Sequence, residues 1–131
     1  MRPELKKIRE SIKAAGAITQ SNPAWYEAIK NGKEHAWLKR HCLKLKSPIE
    51  VKVGTKWTYK SSSGNNKVIF LKSCKIIGVI YNIGEYEVVL DRRSSASEAV
   101  MTYGGPDRLH VRERISVVPA DILKKIVEQL P

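Results

Sequence analysis

Glu85, Glu87 and Asp91 sit at alternate positions of a stretch that reads as a strand. Strand alternation puts their carboxylates on one face, where a divalent ion of the nuclease kind could be held. The rest of a nuclease centre is faint: Pro106-Asp107 and Glu113-x-Ile115 lack the lysine that would accompany such acids. Ser61-Ser62-Ser63-Gly64 has neither the second glycine nor the lysine of a phosphate-cradling loop. His35 and Cys42 lie one heptad apart with His41 nearby, but no Cys-x-x-Cys or His-x-x-x-His pair brings two metal ligands together. The two cysteines, Cys42 and Cys74, read as reduced, partly buried thiols. These groups do not converge on an acid–base or nucleophile–base pair. The chain therefore reads as non-catalytic, with no cofactor or metal, and a metal-dependent nuclease is the minor alternative.

Binding is better marked than catalysis. The sequence holds 24 Lys and Arg against 13 Asp and Glu, a net charge of +11, and residues 1–60 alone carry 14 of those cations against 5 Glu. Such a surplus favours polyanionic partners, because phosphate contacts release condensed counterions without any motif. Two constellations concentrate it. On a helix expected over 33–46, Lys33, Trp37, Arg40 and Lys44 form one stripe, in which cations would touch phosphates while the indole stacks on a base. The competing reading packs Trp37 against Trp25 or the sheet. Joined to the preceding helix at Asn31-Gly32, the same element also admits a helix-turn-helix arrangement. The second constellation is a strand face bearing His110, Arg112 and Arg114, extended by Arg92, Arg93 and Arg108 from a long loop. Guanidinium groups bind phosphate oxygens in bidentate geometry, although the same arginines could pair with Glu85, Glu87 or Glu113 across a solvated face.

Two functions follow. The favoured one is a nucleic-acid-binding protein, DNA ahead of RNA. The other is a protein-interaction module, an adaptor or inhibitor whose basic face docks on an acidic partner through Trp25, Tyr26, Trp37, Tyr103 and the arginines.

The elements that must position these residues can be read from period and punctuation. At 131 residues, 42% hydrophobic and 28% charged, the chain fits one soluble domain with one core. No apolar run reaches the roughly 20 residues of a membrane span, and the first residues do not resemble a secretory signal, so a cytoplasmic location is expected. Pro3 opens a helix with Leu5, Ile8, Ile12 and Ala15 on one face, closed by Gly16. Asn22-Pro23 caps a second, and the 33–46 helix ends at Ser47-Pro48. Beyond it the period drops to two. Strands are expected around Ile49, Trp57, Val68, Ile76 and Glu85, with a hairpin at Asn82-Ile83-Gly84, a loop over 91–108 in which Ser95-x-x-Glu98 caps a turn, and a last strand over 109–118. Pro119 starts the final helix. The expected fold is a single α+β domain with a basic helical segment (1–47), a β-rich core (48–118) and a C-terminal helix (119–131). The core is a mostly antiparallel sheet of five to six strands, open or closed as an SH3-like barrel. Oligomeric state is not encoded in any of these features.

Overall fold

A computed structural model describes residues 3–20, 22–52, 56–60, 66–71, 74–98 and 108–131. Helix α1 (Pro3–Ala15) buries Ile8 and Ile12, and α2 (Pro23–Lys30) buries Trp25 and Ala28. The Asn22 side chain accepts a hydrogen bond from the Ala24 amide at 3.0 Å, satisfying one donor that the first turn leaves open. Helix α3 is shorter than expected, Glu34–His41. The last helix, α4 (Ala120–Glu128), follows a 3-10 turn at Ile115–Val117 where a continued strand was expected. Its buried stripe of Ile122, Leu123 and Ile126 packs against α1 and the first strand, and covering each such side chain stabilises the fold by about 1.5–3 kcal/mol. Among the described residues no helix is long and apolar enough to cross a membrane.

The strands are β1 (Leu43–Val51), β2 (Lys56–Lys60), β3 (Asn66–Leu71), β4 (Cys74–Asn82), β5 (Glu85–Glu98) and β6 (Arg108–Arg114). Three of them, in the order β1-β4-β5, form the continuous antiparallel sheet on which the helices rest. β4 pairs with residues 85–90 of the long strand β5, and β3 pairs with residues 96–98. β6 overlaps both stretches, from Glu87 to Ala96 of β5, so β4 and β3 must occupy successive lengths of the same β5 edge and β6 the other. The β2–β3 ribbon is thus an appendage to the far end of β5. This corrects the expected five- to six-stranded sheet or SH3-like barrel. Among the described residues β1 pairs only with β4 and β2 only with β3, so the ends of the sheet do not meet and the architecture is α+β with an open sheet.

Two further expectations fail for one reason. Residues 43–46 extend β1 rather than α3, and residues 91–98 extend β5 rather than forming a loop with a capped turn. In each case a distant strand supplies the hydrogen bonds: Leu43 and Lys44 oppose Val79 and Gly78, while Ser94 and Ser95 oppose His110 and Leu109. Pro48 lies within β1 at an irregularity between Lys44 and Ile49, where no ladder donor is required of it. Ser61-Ser62-Ser63-Gly64, Tyr103 and Pro106-Asp107 lie outside the described residues.

The hairpin joining β4 to β5 forms as expected. Asn82 opposes Glu85, and the two residues between them, Ile83 (φ 40) and Gly84 (φ 82), both take positive φ in a type I′ turn. Thr19, fully buried, braces this turn: its hydroxyl donates to Asn82 Oδ1 at 2.7 Å and accepts from the Ile83 amide at 3.2 Å. The start of β1 is seated by Gly78, where an added Cβ would stand 2.5 Å from Cys42 Sγ and 2.7 Å from the Leu43 carbonyl oxygen.

Candidate nucleic-acid interface

The first expected stripe does not survive as a stripe. Lys33 is the exposed residue before α3, and Arg40 is exposed on its last turn. Trp37 is only 4% exposed, its ring 5.1 Å from that of Trp25, with His41 stacked on it at 4.4 Å. The indole belongs to the core, as the competing reading had it, and is closed to a base. Lys44 sits on β1, and its Nζ donates to the Arg40 carbonyl at 2.8 Å. That contact satisfies a carbonyl which the helix end leaves open and places a cation on the negative end of the helix dipole.

A different cationic surface takes its place. Lys39, Arg40, Lys44 and Lys46 are all exposed, and residues 39–46 contain no acid. In the strand portion Leu45 points inward and Lys44 and Lys46 outward, about 6.7 Å apart along the backbone. Lys39 and Lys46 were not singled out by sequence. The available signal was Leu43-Lys44-Leu45-Lys46, a two-residue period hidden because Leu38, Cys42 and Leu45 also satisfy helical spacing. A helix-turn-helix needs a recognition helix that presents Trp37 and Lys44 together, and these residues now belong to the core and to a strand.

The arginine constellation is divided. Arg112 on β6 makes a 2.6 Å ion pair with Glu87 on β5, whose side chain is 6% exposed. Burial pushes the Glu87 carboxyl above its ordinary value. The Arg112 guanidinium and the Asn82 amide pull it back in part, and the neighbouring Glu85 pushes it further. Arg114 is exposed. The backbone places Arg92 and Arg93 on β5 and Arg108 and His110 on β6, so none of the four stands in a loop; their side chains lie outside the described residues. On α1, Arg9 lies over the Tyr86 ring at 5.0 Å, a cation held by an aromatic face.

Two of the three acids considered for a metal are otherwise engaged. Glu87 is bound to Arg112, and Asp91 Oδ1 accepts the Lys75 amide at 2.9 Å. His35 Nε2 lies 3.2 Å from the Leu90 carbonyl and must donate to it, since a carbonyl only accepts. Cys42 is buried against Gly78, and burial pushes its thiol up, away from the reactive thiolate. Among the described residues no three His, Cys, Asp or Glu side chains gather in a metal-holding group. Compared with known proteins, the chain matches no family model, no curated protein and no solved structure.

Proposed function

We propose that this protein is a non-catalytic nucleic-acid-binding protein that grips phosphates through the surface where α3 passes into β1. The observation that carries the reading is the exposure of Lys39, Arg40, Lys44 and Lys46 along eight residues that contain no carboxylate. Exposed cations set close together neutralise successive phosphates and gain affinity from counterion release, with non-specific dissociation constants of ~10⁻⁴–10⁻⁶ M at physiological salt. DNA is the first ligand to test and RNA the second. The test is anisotropy of labelled oligonucleotides at low and moderate salt, comparing the protein with the Arg40→Glu, Lys46→Glu double variant. Binding that falls steeply with salt and weakens in the variant supports the reading; no binding in dilute buffer ends it.

A second reading rests on a separate observation. Tyr26 and Ile29 are 47% and 44% exposed on α2, beside Lys30 and Lys33. An exposed aromatic and an aliphatic side chain beside two cations suit a protein-interaction module docking on an acidic partner. Insensitivity to the double variant, with a partner interaction lost on Tyr26→Ala, would select this alternative.

A further inference from the structure

Trp37 is closed to a base, but it is the middle of a three-ring cluster whose outermost member is open. Trp25 lies behind it at 5.1 Å, and the His41 imidazole lies in front at 4.4 Å and 27° from parallel. Trp25 and Trp37 are buried, whereas His41 is exposed on the last turn of α3. One face of the imidazole covers Trp37, so its exposure comes from the other face and the ring edge. A cation is held beside it: Lys44 Nζ, 2.8 Å from the Arg40 carbonyl, sits on the peptide group that joins Arg40 to His41. The ammonium keeps two further N–H groups for a ligand. Farther along the segment the Lys46 amide donates to the Gln129 carbonyl at 2.7 Å, so this lysine leaves a backbone fixed against the end of α4. Glu34, two turns before His41, and Glu50, past Pro48, border the segment along the chain, and Glu128, next to Gln129, borders it on the α4 side.

We infer that the ridge where α3 passes into β1 takes single-stranded nucleic acid, with the outer face of His41 as the platform for one base and Arg40, Lys44 and Lys46 as the contacts for its phosphates. The inference rests on the nucleic-acid reading above and adds the ligand class and the base contact. Single-strand sites combine cations that follow the backbone with rings on which bases stack, and every base has a π-face to offer. In a duplex the bases are already stacked on one another, and only the sugar-phosphate backbone is outermost. A ring face next to a fixed ammonium therefore selects for unpaired nucleotides. Both groups are positioned before a ligand arrives, His41 by Trp37 and Lys44 by the Arg40 carbonyl, so little side-chain freedom is lost on binding. Tyr26 is a second exposed ring, but it stands on α2 beside Lys30 and Lys33 and belongs to the protein-docking reading.

The test uses the full chain, a short labelled single strand without self-pairing, and the duplex it forms with its complement, titrated across a salt series. The single strand should bind more tightly than the duplex. His41→Ala should weaken single-strand binding by roughly five- to a hundredfold, the loss for one stacked base, and leave the slope of log K against log salt unchanged. His41→Tyr, which keeps a ring and carries no charge, should recover most of that loss. In the unaltered protein the His41 ring protons should move upfield on adding the single strand and not on adding the duplex, a readout that needs no variant. Duplex binding as tight as single-strand binding, a loss below about twofold in His41→Ala, or no recovery in His41→Tyr overturns the inference. So does a slope lowered by about 0.7, which would make His41 a phosphate contact. The broader nucleic-acid reading then stands if the Arg40→Glu, Lys46→Glu double variant still weakens salt-sensitive binding. If neither single nor double strands bind in dilute buffer, that reading fails and this inference fails with it.

Discussion

The seam between β5 and β6 and the ridge from α3 into β1 carry the same kinds of side chain to opposite ends. At the seam Arg112 is turned onto Glu87, a carboxylate almost removed from water, while Thr19 and Asn82 close a hydrogen-bonded turn close by in the chain. On the ridge Lys39, Arg40 and Lys46 face solvent, with no acid interspersed. A buried charge must be matched, because isolating it costs several kcal/mol, whereas exposed charges interact weakly with the fold and remain available to a ligand. Residue type and spacing are alike in the two regions. What distinguishes them is the partner that tertiary structure brings up.

Substitutions can break this contrast or sharpen it. The largest effect is expected from Arg112→Ala, which leaves the Glu87 charge without its counter-ion. Because Arg112 is itself 36% exposed, the loss should be roughly 2–4 kcal/mol, at the lower end for a broken buried pair, and urea unfolding would measure it. A loss as small as that of a surface charge would erase the distinction. Gly78→Ala should cost roughly 1–3 kcal/mol, since the new methyl meets both a sulfur and a backbone oxygen at the start of β1. Adding Cys42→Ala should restore only part of it, because the Leu43 carbonyl remains in the way.

The pH response of the seam is smaller and has a definite sign. The Glu87 carboxyl titrates above its ordinary 4.5 in the folded protein, so the native state takes up its proton before the unfolded chain does. Relative to Glu87→Gln, stability should rise as pH falls from neutral toward 4.5 and level off below it, read as the difference between two melting curves at each pH. A difference that shrinks on acidification would show that the ion pair outweighs burial. Ile83→Asn should stabilise by roughly 0.5–1 kcal/mol, since it replaces a β-branched residue at φ 40 with one that tolerates the left-handed region ahead of Gly84. The smallest effect on folding belongs to the ridge, where Arg40→Gln with Lys46→Gln should change stability by less than about 0.5 kcal/mol.

How much could be read in advance follows the range of the deciding interactions. α1, α2, the Asn82–Glu85 turn and the final helix carry their own stop and start residues, and these elements form where local signals put them. The stretch Leu43-Lys44-Leu45-Lys46 satisfies two periods at once, and only pairing with Val79 and Gly78 chooses between them. Asp91 to Glu98 has almost no apolar alternation, so β5 continues there on the strength of β6 and β3. Of the candidate site, the excess of cations was legible, but the burial of Trp37 and the capture of Arg112 by Glu87 depend on residues far along the chain. The approach of α4 to Lys46 left no local trace at all.

The bond from Lys46 to Gln129 bears on solubility as well. β1 ends the sheet, and an uncovered terminal strand invites another chain to add itself by backbone pairing. Here the irregularity, Pro48, the α4 carbonyl and two outward lysines together make that edge a poor template. A variant stripped of these lysines to test the proposed phosphate binding would also lose part of its protection against fibrous self-association, so turbidity on storage would report on the same side chains as an oligonucleotide titration.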